Sequence, residues 1–375
     1  MAISTVPTPL YVLYQQRDGF STLTVTIVFA VYGVGVVTSL LLLGHVSDWV
    51  GRKRILVSAL VLEITSTTVF LVWPALPGLI VGRLICGVAV GMITATATAH
   101  LNELDSAGRP GTGKGRFEIV STMANVGGLG IGALISGVFA QYVPSPLRTP
   151  YLVFGVLLVA AVVAVVATPE TVQKRTERQA WYPQRIQFGR GGRLTYFVGL
   201  GCILSAFAMF GLFTSVAPGF VAGSLHHPSR ALAGLIVFLV FGAAALTQLA
   251  SSSLRQATRL AMGIAAEASG VVLVGTGIHS QSLTVFLIGG ALAGAGAGIL
   301  FKSAVSAVAS SAEPSARGEA LAGLFLFGYF GLIGPAVAVG IAIQHASVST
   351  VVYWFCGTLL VVLAVTAALF IAERH

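Results

Sequence analysis

The stretch that determines the fold is GHVSDWVGRKR, residues 44–54, a short polar connection between two long apolar stretches. Gly44 and Gly51 allow the chain to reverse tightly within this connection. Asp48 lies four residues before Arg52, a spacing at which the two side chains pair on a continuing helical turn. Such a loop is typical of two membrane helices that are joined on one side of a bilayer.

The composition outside this loop is also that of a membrane protein. Of 375 residues, 56% are hydrophobic and 9% are charged, whereas about 25% are charged in a typical soluble domain. The mean hydropathy is +0.92. Because a membrane helix uses about 20 apolar residues, the sequence predicts an all-α polytopic membrane protein with eleven spans. They lie near 22–46, 55–73, 78–100, 118–142, 150–168, 195–218, 230–250, 259–278, 283–305, 319–343 and 349–371.

The segment Met1–Tyr14 is apolar but shorter than a span, and it contains Pro7 and Pro9. No basic residue precedes its apolar run, so it lacks the charged region of a signal peptide. We expect it to be the outer end of a further helix whose beginning is missing from the sequence. The alternative is a strap that lies along the membrane interface.

The basic residues predict the orientation. Sixteen of the 21 Lys and Arg residues lie in one set of loops, three lie in the other set, and Arg83 and Lys302 lie within spans. Cytoplasmic loops carry the excess of basic residues in membrane proteins. The larger set is therefore predicted to be cytoplasmic, together with the C-terminus. The net charge of +9 then indicates orientation and not binding of nucleic acid.

The longest predicted cytoplasmic connection, residues 169–194, is rich in Arg, Gln and Glu. It separates an N-terminal helix bundle, residues 1–168, from a C-terminal helix bundle, residues 195–375. Such a division is typical of transporters, which place their binding site between two repeats that rock against each other.

The 44–54 loop resembles the signature Gly-x-x-x-Asp-Arg/Lys-x-Gly-Arg-Arg/Lys, which the major facilitator superfamily carries between its helices 2 and 3. It departs from the signature at Trp49, where the family usually has a basic residue. The resemblance implies two pseudo-symmetric six-helix bundles, here with eleven complete helices and part of the first. It also implies that the loop acts as a conformational latch during alternating access. The latch residues are Gly44, Asp48, Gly51, Arg52, Lys53 and Arg54.

Two further stretches resemble motifs of the same family. Leu79–Gly91, with Arg83 and Gly87, is similar to the helix 4 motif, in which a buried arginine takes part in proton coupling. A charge within a span costs about 2.5–3.5 kcal/mol on insertion scales, so Arg83 needs a partner or a watery cavity unless it snorkels to the outer surface. Asn125–Gly137 resembles the helix 5 motif of antiporters, but it has Gly-Ala at 132–133 where the family has Gly-Pro.

Three other ionisable residues lie within spans and join Arg83 and Gly87 as candidates for proton coupling or for the cavity. Glu63 and Glu267 are near the middle of their spans, where a carboxyl group can exchange protons with a cavity that opens to each side in turn. A structural hydrogen bond or a permanently protonated acid is the alternative for both. Lys302 lies nearer the cytoplasmic end, where it either snorkels or lines the cavity.

Aromatic residues are the candidates for the substrate cavity. They are Tyr11, Tyr14, Tyr32, Phe207, Phe210, Phe213, Tyr329 and Phe330. Their usual role in membrane helices is packing or contact with lipid. A pocket with so few fixed charges suits a lipophilic or weakly cationic small molecule.

Other classes of site find little support in the sequence. Residues 108–114 fit the first seven positions of a P-loop, but Gly115 replaces the Ser or Thr that binds magnesium, so ATP binding is not expected. The three cysteines form no CxxC pair and the seven histidines form no metal motif, so no metal or other cofactor is expected. No catalytic constellation lies within the spans, so we do not expect an enzyme.

The sequence thus predicts a proton-coupled secondary transporter of the efflux type in the cytoplasmic membrane. Its expected partners are the lipid bilayer, a small-molecule substrate and protons, without nucleic acid or ATP. The alternatives are a uniporter or importer of a small metabolite, and a degenerate relative that does not transport.

Overall fold

The computed structural model describes residues 1–44, 46–108, 115–171, 193–312 and 317–373, and all regular structure in these ranges is helical. A 3-10 helix at Ala2–Thr5 precedes the first α-helix, and a π-helical turn at Met123–Gly127 joins α6 to α7. The α-helices are α1 (Tyr11–Asp18), α2 (Thr22–Leu43), α3 (Ser47–Val50), α4 (Arg52–Val72), α5 (Leu76–Gly108), α6 (Gly115–Thr122), α7 (Gly128–Tyr142), α8 (Thr149–Ala167), α9 (Arg193–Ser215), α10 (Ala217–Gly223), α11 (Arg230–Ala250), α12 (Gln256–His279), α13 (Leu283–Ser311), α14 (Arg317–Ala342) and α15 (Val348–Ala372).

Eleven helices in the described ranges are long and apolar enough to cross a membrane, with α6 and α7 counted as one. This result confirms the predicted all-α polytopic fold. Two helices extend more than one turn past their predicted ends, because α5 continues to Gly108 and α13 to Ser311. The added turns of α5 contain Leu, Glu and Ala, which favour helix even though the polar residues among them end the apolar run.

The N-terminal segment is inserted among the helices of the first half. Residues 3–14 are all buried, and the 3-10 helix packs against α7 and α5. Residues 3–14 are therefore part of the interior of the first half, which is consistent with the predicted remnant of a first helix. The segment ends at Gly19, whose φ of 70° is the left-handed conformation in which glycine commonly terminates helices.

The helices pack into two halves. In the first half, α5 packs against α2 and α4, and α4 packs against α8. In the second half, α13 packs against α11 and α12, and α9 packs against α14 and α15. The halves meet where α7 lies against α11 and where α2 lies against α14. Residues 172–192 of the predicted linker are outside the described residues.

The two ends of the helices define two faces. We call the face that carries the 44–54 loop the basic face, and the other the opposite face. At the opposite face the halves touch through glycine, because a Cβ added to Gly137 of α7 would lie 3.0 Å from Gly234 Cα of α11. Similarly, a Cβ added to Gly340 of α14 would lie 3.1 Å from Thr26 Cβ of α2. The halves are therefore closed together at the opposite face.

Candidate functional site

A central cavity of about 130 Å³ lies between the two halves. It continues into a wider cleft of about 450 Å³. The residues that line both are Thr94, Asn125, Val126, Gln248, Phe301 and Phe325. The cleft is also lined by Gly44 and Gly318, which lie at the basic-face ends of α2 and α14. The cavity is therefore accessible from the basic face and closed at the opposite face.

The second half contributes an aromatic wall to this cavity. Phe210 stacks on Phe241 with ring centroids 4.7 Å apart, and Phe207 meets Tyr329 edge to face at 5.3 Å. Phe301 lies 6.0 Å from Phe207, and Phe325 lies 6.1 Å from Phe301. These six rings come from α9, α11, α13 and α14, and they form a continuous apolar surface.

The first half contributes a polar wall of hydroxyl and amide groups. Its members are Ser4, Thr5, Thr8, Tyr32, Thr94 and Asn125. Asn125 lies in the π-helical turn, a feature that is frequent at functional sites because it interrupts the regular helix. Among the described residues, no charged side chain lines the central cavity. The lining is thus largely apolar in both halves, and most of its hydroxyl and amide groups come from the first half.

The predicted cavity residues divide into two groups. Tyr32, Phe210 and Tyr329 line the central cavity, as does Phe207. Tyr11 and Tyr14 lie in the apolar core of the first half instead. Phe213 is buried in the core of the second half, whereas Phe330 is 66% exposed on the outer surface of α14.

Arg83 of α5 lies in the interior of the first half and is only 1% exposed. Its Nε and Nη2 atoms donate to Tyr11 Oη at 2.8 and 2.5 Å, and its Nη1 atom donates to the Ser4 carbonyl oxygen at 2.6 Å. The guanidinium carbon also lies 5.3 and 5.6 Å from the ring centroids of Tyr11 and Tyr32. These partners place Arg83 inside the protein and not in a snorkelling position at the surface.

The prolines of the N-terminal segment explain why carbonyl oxygens are available there. Most N–H groups of residues 4–10 donate to the carbonyl three residues earlier. In that pattern the Ser4 and Val6 carbonyls would accept from the two proline nitrogens, which carry no hydrogen. Arg83 donates to the Ser4 carbonyl instead, and Ser136 Oγ donates to the Val6 carbonyl at 2.7 Å. The segment is thus anchored at both proline positions by side chains of neighbouring helices.

Gly87 lies one turn after Arg83 and allows two helices to approach closely. A Cβ at this position would collide with the Tyr32 carbonyl oxygen and would lie 3.0 Å from Gly35 Cα. Such small residues let membrane helices pack backbone against backbone. Gly87 therefore sets the distance between α5, which carries Arg83, and α2, which carries Tyr32.

Glu63 and Glu267 are fully buried, each within its own half. Glu63 Oε1 accepts a weak hydrogen bond from Cys86 Sγ at 3.7 Å, and Glu267 Oε2 accepts one from Ser205 Oγ at 3.4 Å. The other carboxyl oxygen of each has no hydrogen-bond partner among the described residues. Neither glutamate lines the central cavity or the cleft.

Lys302 of α13 connects the two halves. Its ammonium group forms an ion pair with Glu118 of α6 and donates to the Gln248 carbonyl oxygen at 2.8 Å and to Ser252 Oγ. Glu118 also accepts from Ser252 Oγ at 2.7 Å. Because Glu118 belongs to the first half and the other three residues belong to the second, the cluster bridges the halves on the basic-face side.

Arg52, in the predicted latch, is bonded within the first half. Its Nη2 and Nε atoms donate to Glu103 Oε1 of α5 at 3.1 and 3.3 Å, and its Nη1 atom donates to Ser47 Oγ at 2.6 Å. Glu103 Oε2 accepts from Thr171 Oγ1, just after α8. These contacts tie the loop to α5 and to the start of the predicted linker.

The N-terminus of α4 is capped by a carboxylate from outside the loop. Glu170 accepts from the backbone N–H of Arg52 at 3.0 Å and of Lys53 at 3.2 Å. The first N–H groups of a helix lack partners within the helix, and their positive partial charge favours an anion. Gly51 makes room for this contact, since its φ is 113° and an added Cβ would lie 2.6 Å from Glu170 Oε2.

Other predicted residues make no such contacts or lie outside the described residues. Gly44 ends α2 and lines the cleft, and Arg54 is exposed. The Asp48 side chain is outside the described residues. So is the stretch 108–114 that resembles a P-loop, apart from the backbone of Gly108.

Three residues that no sequence motif singles out occupy important positions in the structure. Glu103 and Glu118 lie at the polar ends of helices, where an acidic residue is ordinary. Gln248 is a single amide near the end of an apolar span. A search for polar residues within two turns of the predicted span ends would have found all three, but it would not have indicated their partners.

Comparisons with known proteins match this architecture. The family model of the Major Facilitator Superfamily matches residues 1–254. The crystal structure of a mutant of the nucleoside transporter NupG superposes with a TM-score of 0.70 at 16% sequence identity, with 98% of each chain covered. The human organic anion transporter MFSD10 (TETRAN) superposes with a TM-score of 0.65 at 17% identity, with 91% of this chain and 83% of that one covered. No curated protein matches the sequence significantly.

Proposed function

This chain belongs to the major facilitator superfamily, and we propose that it moves a small lipophilic or weakly cationic molecule across the cytoplasmic membrane by alternating access. Membership of a family of membrane transporters supports transport and not catalysis. We further propose that transport is coupled to protons and directed outward. The bundles 1–168 and 195–375 are the two moving bodies of this proposal, and the connection 169–194 links them on the cytoplasmic side.

The observation that carries the proposal is the position of the central cavity. It lies between the halves, it is open toward the basic face, and it is closed where Gly137 meets Gly234. A site at the interface of two bodies changes its side of access when those bodies rock. Because basic loops favour the cytoplasm, the open side corresponds to an inward-facing state.

The walls of the cavity support the proposed substrate class. Six aromatic rings favour apolar molecules and also attract cations through their faces. NupG is a nucleoside transporter and MFSD10 is an organic anion transporter. An organic anion would find no basic side chain among the described residues of the cavity lining here. The lining therefore favours a neutral or cationic molecule over an anion.

Proton coupling is proposed to involve Arg83, with Glu63, Glu267 and Lys302 as further candidates. Arg83 is a buried cation whose bonded partners are uncharged. Glu63 of α4 accepts a hydrogen bond from Cys86, which lies one turn after Arg83 in α5. Protonation of the Glu63 carboxyl group therefore changes the net charge near Arg83. The loop Gly44–Arg54 is proposed as the latch, which exchanges its contacts when the halves rock.

The test is ethidium flux through sealed liposomes that contain the purified protein, followed by ethidium fluorescence on DNA trapped inside. We expect an imposed pH gradient to accelerate flux above that of protein-free liposomes, and an ionophore that collapses the gradient to abolish the acceleration. A flux rate that is the same with and without the pH gradient would identify a uniporter. The absence of flux under every condition would support the degenerate, non-transporting relative.

A further inference from the structure

We propose that the central cavity selects uncharged, flat ring compounds that offer a hydrogen-bond acceptor to the side-chain amide of Gln248. This inference rests on the proposed transport function and makes neutral compounds the preferred substrates within the lipophilic or weakly cationic class. Ethidium, whose single charge is spread over a flat aromatic ring system, is then a weaker substrate than a neutral ring compound.

Gln248 of α11 has an unused side-chain donor beside the cavity. It is only 6% exposed, it lines both the central cavity and the cleft, and its Nε2 atom has no hydrogen-bond partner among the described residues. Buried polar groups are nearly always hydrogen-bonded, because a missing partner costs free energy. An acceptor on a bound molecule would complete this site.

The backbone beside this amide is held in place. The Gln248 carbonyl oxygen accepts from Lys302 Nζ at 2.8 Å, and the neighbouring Thr247 Oγ1 donates to the Ala295 carbonyl of α13 at 2.8 Å. These bonds fix α11 against α13 at the level of the cavity. Gln248 therefore presents its amide from a rigid position, as a residue that determines specificity must.

The volume of the central cavity fits a single aromatic ring. Its volume of about 130 Å³ is close to that of an apolar cavity of about 150 Å³ that holds benzene. The stacked pair Phe210 and Phe241 lies on one side, and Thr94 and Asn125 lie on the other. A ring in this cavity has aromatic surface and hydroxyl and amide groups within reach.

The lining also argues for a neutral molecule. No charged side chain among the described residues lines the central cavity. An ion that enters such a cavity loses its hydration without gaining a counter-charge from a side chain, which is far more costly than for a neutral polar group. An uncharged compound with one acceptor satisfies both the aromatic wall and Gln248.

The experiment compares four compounds that share one benzene ring: benzamide, toluene, benzoate and benzylammonium. Their dissociation constants are measured by ligand-observed NMR with the purified protein in nanodiscs. We expect benzamide to bind most tightly. Because one hydrogen bond is lost, Gln248→Leu should weaken benzamide binding about fivefold to tenfold and change toluene binding less than twofold.

Two further variants make the experiment decisive. Gln344→Leu makes the same chemical change at an exposed glutamine just after α14, and it should leave every constant unchanged. Gln248→Met removes the donor with little change of shape, and it replaces Gln248→Leu if the latter fails to fold by size-exclusion chromatography.

Benzamide affinity that survives both Gln248 variants would overturn the role of this amide. Tighter binding of benzoate or benzylammonium than of benzamide would overturn the neutral class. Failure of all four compounds to bind, while ethidium flux persists, would overturn this inference and leave the proposed function standing. Loss of both binding and flux would instead contradict the proposed function itself.

Discussion

At Arg83, a buried cation is held by a tyrosine hydroxyl and a backbone carbonyl. The Ser4 carbonyl is free to accept because a proline occupies the position three residues later. Ser136 donates the corresponding hydrogen bond to the Val6 carbonyl, but its side chain is uncharged. The two residues thus share an anchoring role and differ in electrostatics, so they form a matched pair for mutation.

Arg83→Gln should leave the protein folded and ethidium flux possible, but it should abolish the acceleration of flux by a pH gradient. The amide keeps a donor for the Ser4 carbonyl, whereas the charge is lost. Ser136→Ala is the control: losing one buried hydrogen bond should lower stability by about 1 kcal/mol and leave the response to the gradient intact. Flux and thermal unfolding are measured on both variants. If gradient-driven flux persists in Arg83→Gln, Arg83 only holds the N-terminal segment in place and has no role in proton coupling.

At the scale of single elements, the helix formed by α6 and α7 shows what the sequence can and cannot predict. The apolar run predicted a span at 118–142, and a membrane-length helix at Gly115–Tyr142 confirms it. The π-helical turn at Met123–Gly127 was not predictable, because an extra residue in one turn leaves the apolar composition unchanged. The family's helix 5 motif has a Gly-Pro pair where this chain has Gly132 and Ala133. Without that proline, this helix departs from regular geometry at the π turn instead.

The site was less predictable than the fold for a related reason. Spans follow from local hydropathy, and the 44–54 signature is local as well. The pair of Lys302 with Glu118 joins residues 184 positions apart in the chain, and no local pattern reports such a contact. Tyr11 was expected in the cavity as an aromatic residue, but the prolines of its segment leave the Ser4 carbonyl to Arg83, and Tyr11 lies beside it.

The ion pair between α6 and α13 gives a prediction at this scale. Both side chains are partly exposed, at 18% and 36%, so the pair stabilises the contact by about 1 kcal/mol at most. The pair is formed in the state that is open at the basic face, and we expect it to separate when the halves rock. Glu118→Gln should therefore lower the proportion of molecules open at this face by up to about fivefold. The measurement is the labelling rate of Thr98→Cys, in the cleft, by a membrane-impermeant maleimide. If the pair acts as a unit, adding Lys302→Met to Glu118→Gln changes the rate no further, whereas additive effects would show that the two side chains act separately.

At the scale of the whole molecule, the two halves enclose a cavity with access from one face. The contacts between α2 and α14 and between α7 and α11 close the opposite face. The cleft lined by Gly44 and Gly318 leaves the basic face open. Alternating access requires the opposite-face contacts to separate during each cycle.

A cross-link at the opposite face should therefore stop transport reversibly. A Cβ at Gly340 would lie 3.1 Å from Thr26 Cβ, and natural disulfides have Cβ atoms about 3.5–4.5 Å apart, so a small displacement of α14 permits the bond. Oxidised Thr26→Cys/Gly340→Cys protein should lose ethidium flux, and a reductant should restore it. Either single variant should respond to neither treatment, since the native Cys86, Cys202 and Cys356 are buried. Flux through the fully oxidised double variant would contradict the rocking mechanism.

The contact of Gly137 with Gly234 has a consequence for how this protein can change over evolutionary time. The helices touch there through their backbones, and a Cβ at Gly234 would collide with the Ala133 carbonyl oxygen. Neither glycine has a side chain, so the contact between the two can separate without a change of rotamer at either position. One added methyl group would press the halves apart at this face without altering any residue of the cavity. A single substitution can therefore change the equilibrium between the two states without changing any residue of the binding site.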